Sequence, residues 1–190
     1  MADDLPRRKP RKSEVIVYGV PPELVVQRAQ ELVGWHFVGA MLESTDELAA
    51  SDHAYRDLGY RPLATEGLFV HDLTDIPTAR CEPEVRLIES ESELISIPQM
   101  VPQPRRWMDD LRQYAIWDRT RDYGWVTSRD VGADAWVGDL WVPNDLRRRG
   151  YGRALMSRLL LDDRELGRES SVLLASTAGG YLYPQLGYRQ

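Results

Sequence analysis

Ala135-Trp-Val-Gly-Asp139-Leu-Trp-Val142-Pro143-Asn-Asp-Leu-Arg147-Arg148-Arg149-Gly150-Tyr151-Gly152-Arg153-Ala-Leu155-Met156-Ser-Arg-Leu159-Leu160-Leu161 is the stretch that decides the fold. Trp136 to Val142 is apolar and β-prone, and Pro143 closes it. Pro143, Asn144 and Asp145 are turn residues. From Tyr151 the apolar side chains recur at helical spacing, with Tyr151, Leu155 and Leu159 on one row and Met156 and Leu160 beside it. The sequence thus reads strand, turn, helix. The turn holds two glycines, Gly150 and Gly152, which allow close approach of a ligand to the backbone. A helix start adds free N–H donors and the positive end of the helix dipole, and arginines surround it. Such a corner suits a pyrophosphate.

Spacing narrows the choice. A dinucleotide fingerprint needs a third glycine where Leu155 stands, and a P-loop needs a Gly-Lys-Ser/Thr that is absent. What remains is Arg147-x-x-Gly150-x-Gly152 after a strand and opening a helix. This resembles the acetyl-CoA loop of the GCN5-related N-acetyltransferases, the GNAT superfamily. A second resemblance lies at the other end of the same region, where Tyr183-x-x-x-Gly187-Tyr188 is similar to that family's closing motif.

The resemblance implies an α/β fold with a mixed sheet and helices on both faces. It implies acetyl-CoA as cosubstrate, with no metal, and an amine acceptor. Leu140, Trp141 and Val142 would meet the pantetheine arm. Arg147, Arg148, Arg149, Gly150, Tyr151, Gly152 and Arg153 would grip the pyrophosphate, mostly through main chain. Ser176 stands near where relatives often contact the cofactor; a simple helix N-cap is the other reading. Tyr183 matches the tyrosine that protonates the departing sulfur, or else it packs the core. Asp139 is the candidate base. Unperturbed aspartate, at about 3.9, is a weak base, so the role needs burial or a water relay; otherwise Asp139 serves the backbone.

Composition sets the outer bounds. With 190 residues, 43% hydrophobic and 28% charged, the chain suits one generous globular domain or two small ones. The net charge of -6 argues against nucleic acid or anionic membrane as partner, and weakly favours a cationic amine acceptor. The single Cys81 excludes an internal disulfide and fits a reducing cytoplasm. There is no apolar run long enough to span a bilayer. His36, His53 and His71 match no metal spacing.

Along the chain, residues 1–12 read as a disordered tail. Residues 13–73 read as strand (Glu14 to Gly19), helix (Glu23 to Val33), strand (Trp35 to Leu42), helix (Ala49 to Leu58) and β-rich pieces (Tyr60 to Ala64, Gly67 to Asp72). Residues 74–83 read as a linker with Pro77 and Pro83. From 84 to 190 the order is strand, helix, three strands, the motif loop, helix, strand and a last helix from Gly179 to Leu186, which is the GNAT order. A short helix is expected over Arg106 to Asp110.

Tyr55-Arg-Asp-Leu58-Gly59-Tyr60-Arg61 has the same form as Tyr183-Pro-Gln-Leu186-Gly187-Tyr188-Arg189. Residues 13–73 therefore read as a partial GNAT-like unit, a repeat of the later half only. Where the second copy has its arginine–glycine loop, the first has Val20-Pro-Pro-Glu23 and should not bind coenzyme A. The second copy stops at Gln190, which leaves the strand Ser171 to Ala175 with an open edge. Either Pro62 to Asp72 or another chain, as in a homodimer, is expected to cover it. The main alternative function is a coenzyme A-binding regulatory module without turnover; a nucleic-acid binder using Arg147 to Arg153 is a third.

Overall fold

The computed structural model describes residues 14–31, 37–98, 107–175 and 179–190. They fall into two compact units that divide between Ala64 and Thr65. In the first, β1 (Glu14–Tyr18) pairs in parallel with β2 (Phe37–Met41), and α1 (Pro22–Ala29) connects them. Pro22 starts α1, where a missing N–H costs nothing, and Val25, Val26 and Ala29 are its buried face. A 3₁₀ turn, Thr45–Glu47, leads into α2 (Leu48–Asp57). The expected ends of α1 and β2 near Val33 and Trp35 lie outside the described residues, as does His36.

The second unit is built on six strands in the order β3-β8-β7-β6-β5-β4. These are β3 (Gly67–His71), β4 (Arg86–Leu87), β5 (Leu111–Trp117), β6 (Asp122–Val131), β7 (Asp134–Trp141) and β8 (Ser171–Ala175). Only β7 and β8 are parallel; the other pairs are antiparallel. A parallel pair needs a crossover, supplied by α4 (Tyr151–Glu165). The helical row expected from the sequence is the buried one. Leu155, Met156, Leu159 and Leu160 are fully buried against Tyr114, Ile116, Val126, Val137 and Leu173 of the sheet. The opposite face carries a second cluster, in which Leu94 and Ile97, of α3 (Glu91–Ser96) and its C-cap, meet Ile88, Ala115, Trp117 and Trp125. Ser90 caps α3, accepting from the Glu93 amide at 3.2 Å.

The edge beside Ser171–Ala175 is covered by β3, in register from Gly67↔Ala175 to His71↔Ser171. A buried knot secures it. His71 Nδ1 accepts from the Leu73 amide at 2.8 Å, and Nε2 faces the Leu186 carbonyl at 2.9 Å. With Nδ1 accepting, Nε2 must carry the proton and donate, which fixes a neutral tautomer. Beyond it, Arg189 exchanges both backbone hydrogen bonds with Val70, at 2.8 and 2.9 Å.

Several expectations shift. The expected linker 74–83 lies inside the second unit, because β3 spends its ladder on β8. There the segment runs along α4: Ser157 donates to the Pro77 carbonyl at 2.5 Å and Tyr151 to that of Glu82 at 3.3 Å. Tyr60 to Ala64 is not a strand, and residues 107–110 form a turn into β5 rather than a helix. The single closing helix is two 3₁₀ turns, Gly179–Tyr181 and Tyr183–Leu186. Pro184 has no N–H to bond back across the join.

The two Gly-Tyr motifs end their helices alike. In the first, the Gly59 amide bonds the Arg56 carbonyl at 2.9 Å and that of Tyr60 bonds Tyr55 at 3.0 Å. In the second, the Gly187 amide bonds Pro184 at 3.2 Å and that of Tyr188 bonds Tyr183 at 3.1 Å. Both glycines have φ near +90°, at 87° and 95°. Each tyrosine pair meets edge to face, at 6.0 and 5.5 Å.

Candidate active site

β7 and β8 pair only from Ala135↔Ser171 to Val137↔Leu173. β7 continues on β6 as far as Trp141. From Gly138 onward, then, the side of β7 that faced β8 has no ladder partner among the described residues. A bulge lies at this point. Thr127 is opposite Gly138 but Trp125 is opposite Trp141, so β7 holds one residue too many. Asp139 takes the strained position, with φ +54°. Its side chain is exposed. Gly124 makes room on β6, since a Cβ there would lie 2.9 Å from Leu155 Cδ1 and 3.2 Å from the Trp141 carbonyl.

The chain then turns towards α4 through a well-anchored loop. Pro143 and Leu146 are buried in it. The Leu146 amide bonds the Pro143 carbonyl at 2.9 Å, and Arg147 Nε donates to the Val142 carbonyl at 3.2 Å. Asp145 takes both ends of the Arg121 fork, at 3.0 and 3.3 Å, tying the loop to the β5–β6 turn. Arg148 (φ +60°) and Gly150 (φ +91°) both adopt left-handed conformations.

The first backbone bond of α4 runs from the Ala154 amide to the Gly150 carbonyl at 2.9 Å. Among the described residues, no acceptor meets the amides of Arg148, Arg149, Gly150, Tyr151, Gly152 or Arg153. Gly150 is the N-cap and carries no capping side chain, so no cap among the described residues competes for them. The Arg148 and Arg149 side chains are exposed, without ion pairs among the described residues. Arg153 reaches Gln185 at 2.9 Å. The Tyr151 ring stacks at a tilt on Tyr123, 5.4 Å away, and steadies the helix start.

Leu140 and Val142 pack partly buried on the α4 face, and Trp141 is half-buried. Tyr183 is buried beside Phe69 and Tyr188, and Gly179 faces its ring. Burial pushes its hydroxyl above the ordinary tyrosine value. That hydroxyl has no hydrogen-bond partner among the described residues. Ser176 lies outside the described residues. The structure thus brings the loop, the splayed strand end and the Tyr183–Leu186 turn into one unit. Sequence reading missed the Arg121–Asp145 tie, the Gly124 clearance and the His71 knot. Gly124 and His71 stood as residue types without a sequence pattern; Arg121 and Asp145 are joined only by the fold.

Among the described residues, no group of three or more His, Cys, Asp or Glu stands close enough to hold a metal ion. No helix among them is long and apolar enough to cross a membrane.

Residues 110–190 match the family model described as the acetyltransferase (GNAT) domain. A GCN5-related N-acetyltransferase from Kribbella flavida has a similar fold, at a TM-score of 0.64 and 14% identity, over 91% of this chain and 74% of that one. A conserved protein of unknown function from Staphylococcus epidermidis gives 0.56 at 14% identity, over 88% and 73%. A GCN5-related N-acetyltransferase from Sphaerobacter thermophilus gives 0.55 at 19% identity, over 80% of this chain and 56% of that one. No curated protein matches the sequence.

Proposed function

We propose that the chain is an acetyltransferase of the GNAT type, whose domain model its residues 110–190 match, and that it transfers the acetyl group of acetyl-CoA to the amine of a small molecule or peptide. One observation carries the reading: the unspent amides from Arg148 to Arg153 at the head of α4, next to a strand end that has left its partner. A pyrophosphate satisfies such donors, and each bond to a charged oxygen contributes about 1.5–3 kcal/mol. The pantetheine arm would run along the β7 edge from Gly138, where backbone groups await partners.

Nitrogen attacks the thioester carbonyl, the C–N bond forms, the C–S bond breaks and the thiolate leaves. Tyr183 is the proton donor to that sulfur. Its raised value suits an acid that stays protonated until needed. The proton lost by the amine goes to solvent. Asp139, proposed from its residue type as the base, has an exposed carboxylate on a left-handed backbone. Those two features favour the bulge-forming role over that of a buried base.

The first unit reads as a partial repeat that lacks the binding loop. Pro21 and Pro22 stand at its helix start, and neither offers an N–H.

Calorimetry with coenzyme A, then thiol release against an amine panel, tests the proposal. Binding followed by thiol release supports it. Binding without release for any amine favours a coenzyme A-binding module, a reading to which the exposed Asp139 also lends support. Absence of coenzyme A binding refutes both.

A further inference from the structure

A groove of about 430 Å³ opens on the α3 face of the sheet, lined by Arg86, Ser96, Pro98, Trp117, Asp118 and Arg119. Strand register relates it to the splayed edge. Arg86 pairs with Ala115, Ala115 with Trp125, and Trp125 with Trp141. The four form one row from β4 to β7, and paired residues present their side chains to the same face. Ala115 and Trp125 belong to the α3-side cluster, and so does Trp117, two residues along from Ala115. Strands about 4.8 Å apart put the β5 end of the groove roughly 10 Å from the open edge of β7.

The charges of the groove are unevenly spent. Asp118 Oδ1 accepts from the Thr120 amide at 2.7 Å, the Thr120 hydroxyl at 2.6 Å and the Arg121 amide at 3.0 Å. Its Oδ2 accepts from Tyr123 at 2.6 Å. Those donors hold it well below the usual carboxylate range and leave it little capacity for a ligand. The arginines are the reverse. Arg86 lies flat on Trp117, its Cζ 3.3 Å from the ring centroid, and donates to the Trp117 carbonyl at 3.3 Å. That stacking orients the fork and leaves its other donors without a carboxylate among the described residues. Arg119 is exposed and has no partner among the described residues. Elsewhere in this unit Arg112, Arg121, Arg129, Arg158, Arg168 and Arg189 all hold aspartates. In a chain of net charge -6, two unclaimed guanidiniums in one groove mark a place for an anion.

We propose that the acceptor is an amine bearing a carboxylate at its far end, held by Arg86 and Arg119 while the amine reaches the β7 edge. This rests on the transferase reading. It reverses the expectation from net charge alone, since a cationic far end would meet two guanidiniums. A carboxylate suits the planar fork, and the 10 Å span calls for several bonds between the two ends.

The test compares 6-aminohexanoate, hexylamine and 1,6-diaminohexane, which share one chain length and differ at the far end. With the wild-type protein, 6-aminohexanoate should have a kcat/KM at least 10-fold above the other two. Arg86→Gln and Arg119→Gln should each raise its KM about 10-fold, leaving kcat, the KM for hexylamine and the affinity for coenzyme A unchanged. Both side chains are exposed, so the variants should fold. Equal use of the three amines, preference for the diamine, or equal loss towards all three in the variants overturns the proposal. Calorimetry of 6-aminohexanoate with the coenzyme A-saturated protein supplies a readout independent of turnover. Binding that Arg86→Gln weakens supports the groove even if no amine is acetylated, a result that would count against the transferase reading alone. Coenzyme A binding with no 6-aminohexanoate binding overturns the groove alone.

Discussion

Gly187→Ala should be among the most damaging small substitutions in the second unit. Two costs meet there. Gly187 has φ +95°, a conformation that costs a residue with a Cβ about 1–2 kcal/mol. The added Cβ would also stand 2.8 Å from His71 Nε2, the atom that donates to the Leu186 carbonyl. Relieving that clash moves the ring, and a buried donor and acceptor left apart cost a further 1–3 kcal/mol or so. The expected total is about 2–5 kcal/mol, or on the order of 10 °C in melting temperature for a chain of this size. Urea unfolding followed by tryptophan fluorescence suits the purpose, because Trp117, Trp125, Trp136 and Trp141 all lie in the six-stranded sheet. A double-mutant cycle with His71→Ala separates the costs. Removing the ring removes the clash but not the backbone strain, so the two changes should couple by about 2 kcal/mol. A loss under 1 kcal/mol for Gly187→Ala, or strict additivity with His71→Ala, would refute the knot.

Gly152→Ala should leave stability equal or slightly higher, since its Cβ would find Leu182 at 3.5 Å and Val142 at 3.9 Å, ordinary contacts in a first helical turn. If the backbone there meets a pyrophosphate, the same methyl should weaken coenzyme A binding by about 2–3 kcal/mol, some 30- to 150-fold, by calorimetry. Tyr183→Phe should lower turnover about 100-fold with coenzyme A affinity unchanged; because burial raises the hydroxyl above its ordinary value, wild-type turnover should show no alkaline decline from this group below about pH 10. Burial lowers His71 below its ordinary value, so the folded state resists its protonation. Stability from this group is complete above about pH 6.5 and falls with pH towards the folded value, by at most about 1.4 kcal/mol per pH unit; His71→Gln should flatten that slope in urea titrations. Asp139→Gly and Asp139→Asn should both keep turnover, since both accept φ +54°, while Asp139→Val should lose it together with the bulge.

What the sequence discloses follows the range of the interactions. The α4 row from Tyr151 to Leu160 is local periodicity, and its burial is as expected. The turn is equally local, because Gly150 permits a φ that few other residues take. The covering of β8 was legible for a different reason: an open edge demands a partner, and Gly67–His71 offers a strand. Its cost was the unit boundary. Likeness to the second copy drew β3 into the first unit, while its hydrogen bonds assign it to the second. The Asp139 bulge is illegible locally. It exists only as a mismatch between the registers of β6 and β7, so the residue's acidic type was the sole signal and pointed to a proton acceptor. Asp145 and Arg121 stand 24 positions apart, joined by a turn and a strand pair that no local pattern predicts.

The extra residue in β7 does more than bend a strand. Ala135 and Val137 face α4, and strict alternation would send Asp139 and Trp141 the same way. One inserted residue reverses the parity. Leu140 and Val142 join the α4-side core instead, and Trp141 comes opposite Trp125 on the α3 face. Both consequences reach the site. The α4 side of the splayed edge gains an apolar floor next to the free amides. The α3 side gains a row that runs from Trp141 to Arg86. A thioester held on the first side and an amine arriving along the second would meet across the same few backbone groups. On the proposed reading, the left-handed residue at position 139 would thus set the cofactor arm and the acceptor on opposite faces of one strand.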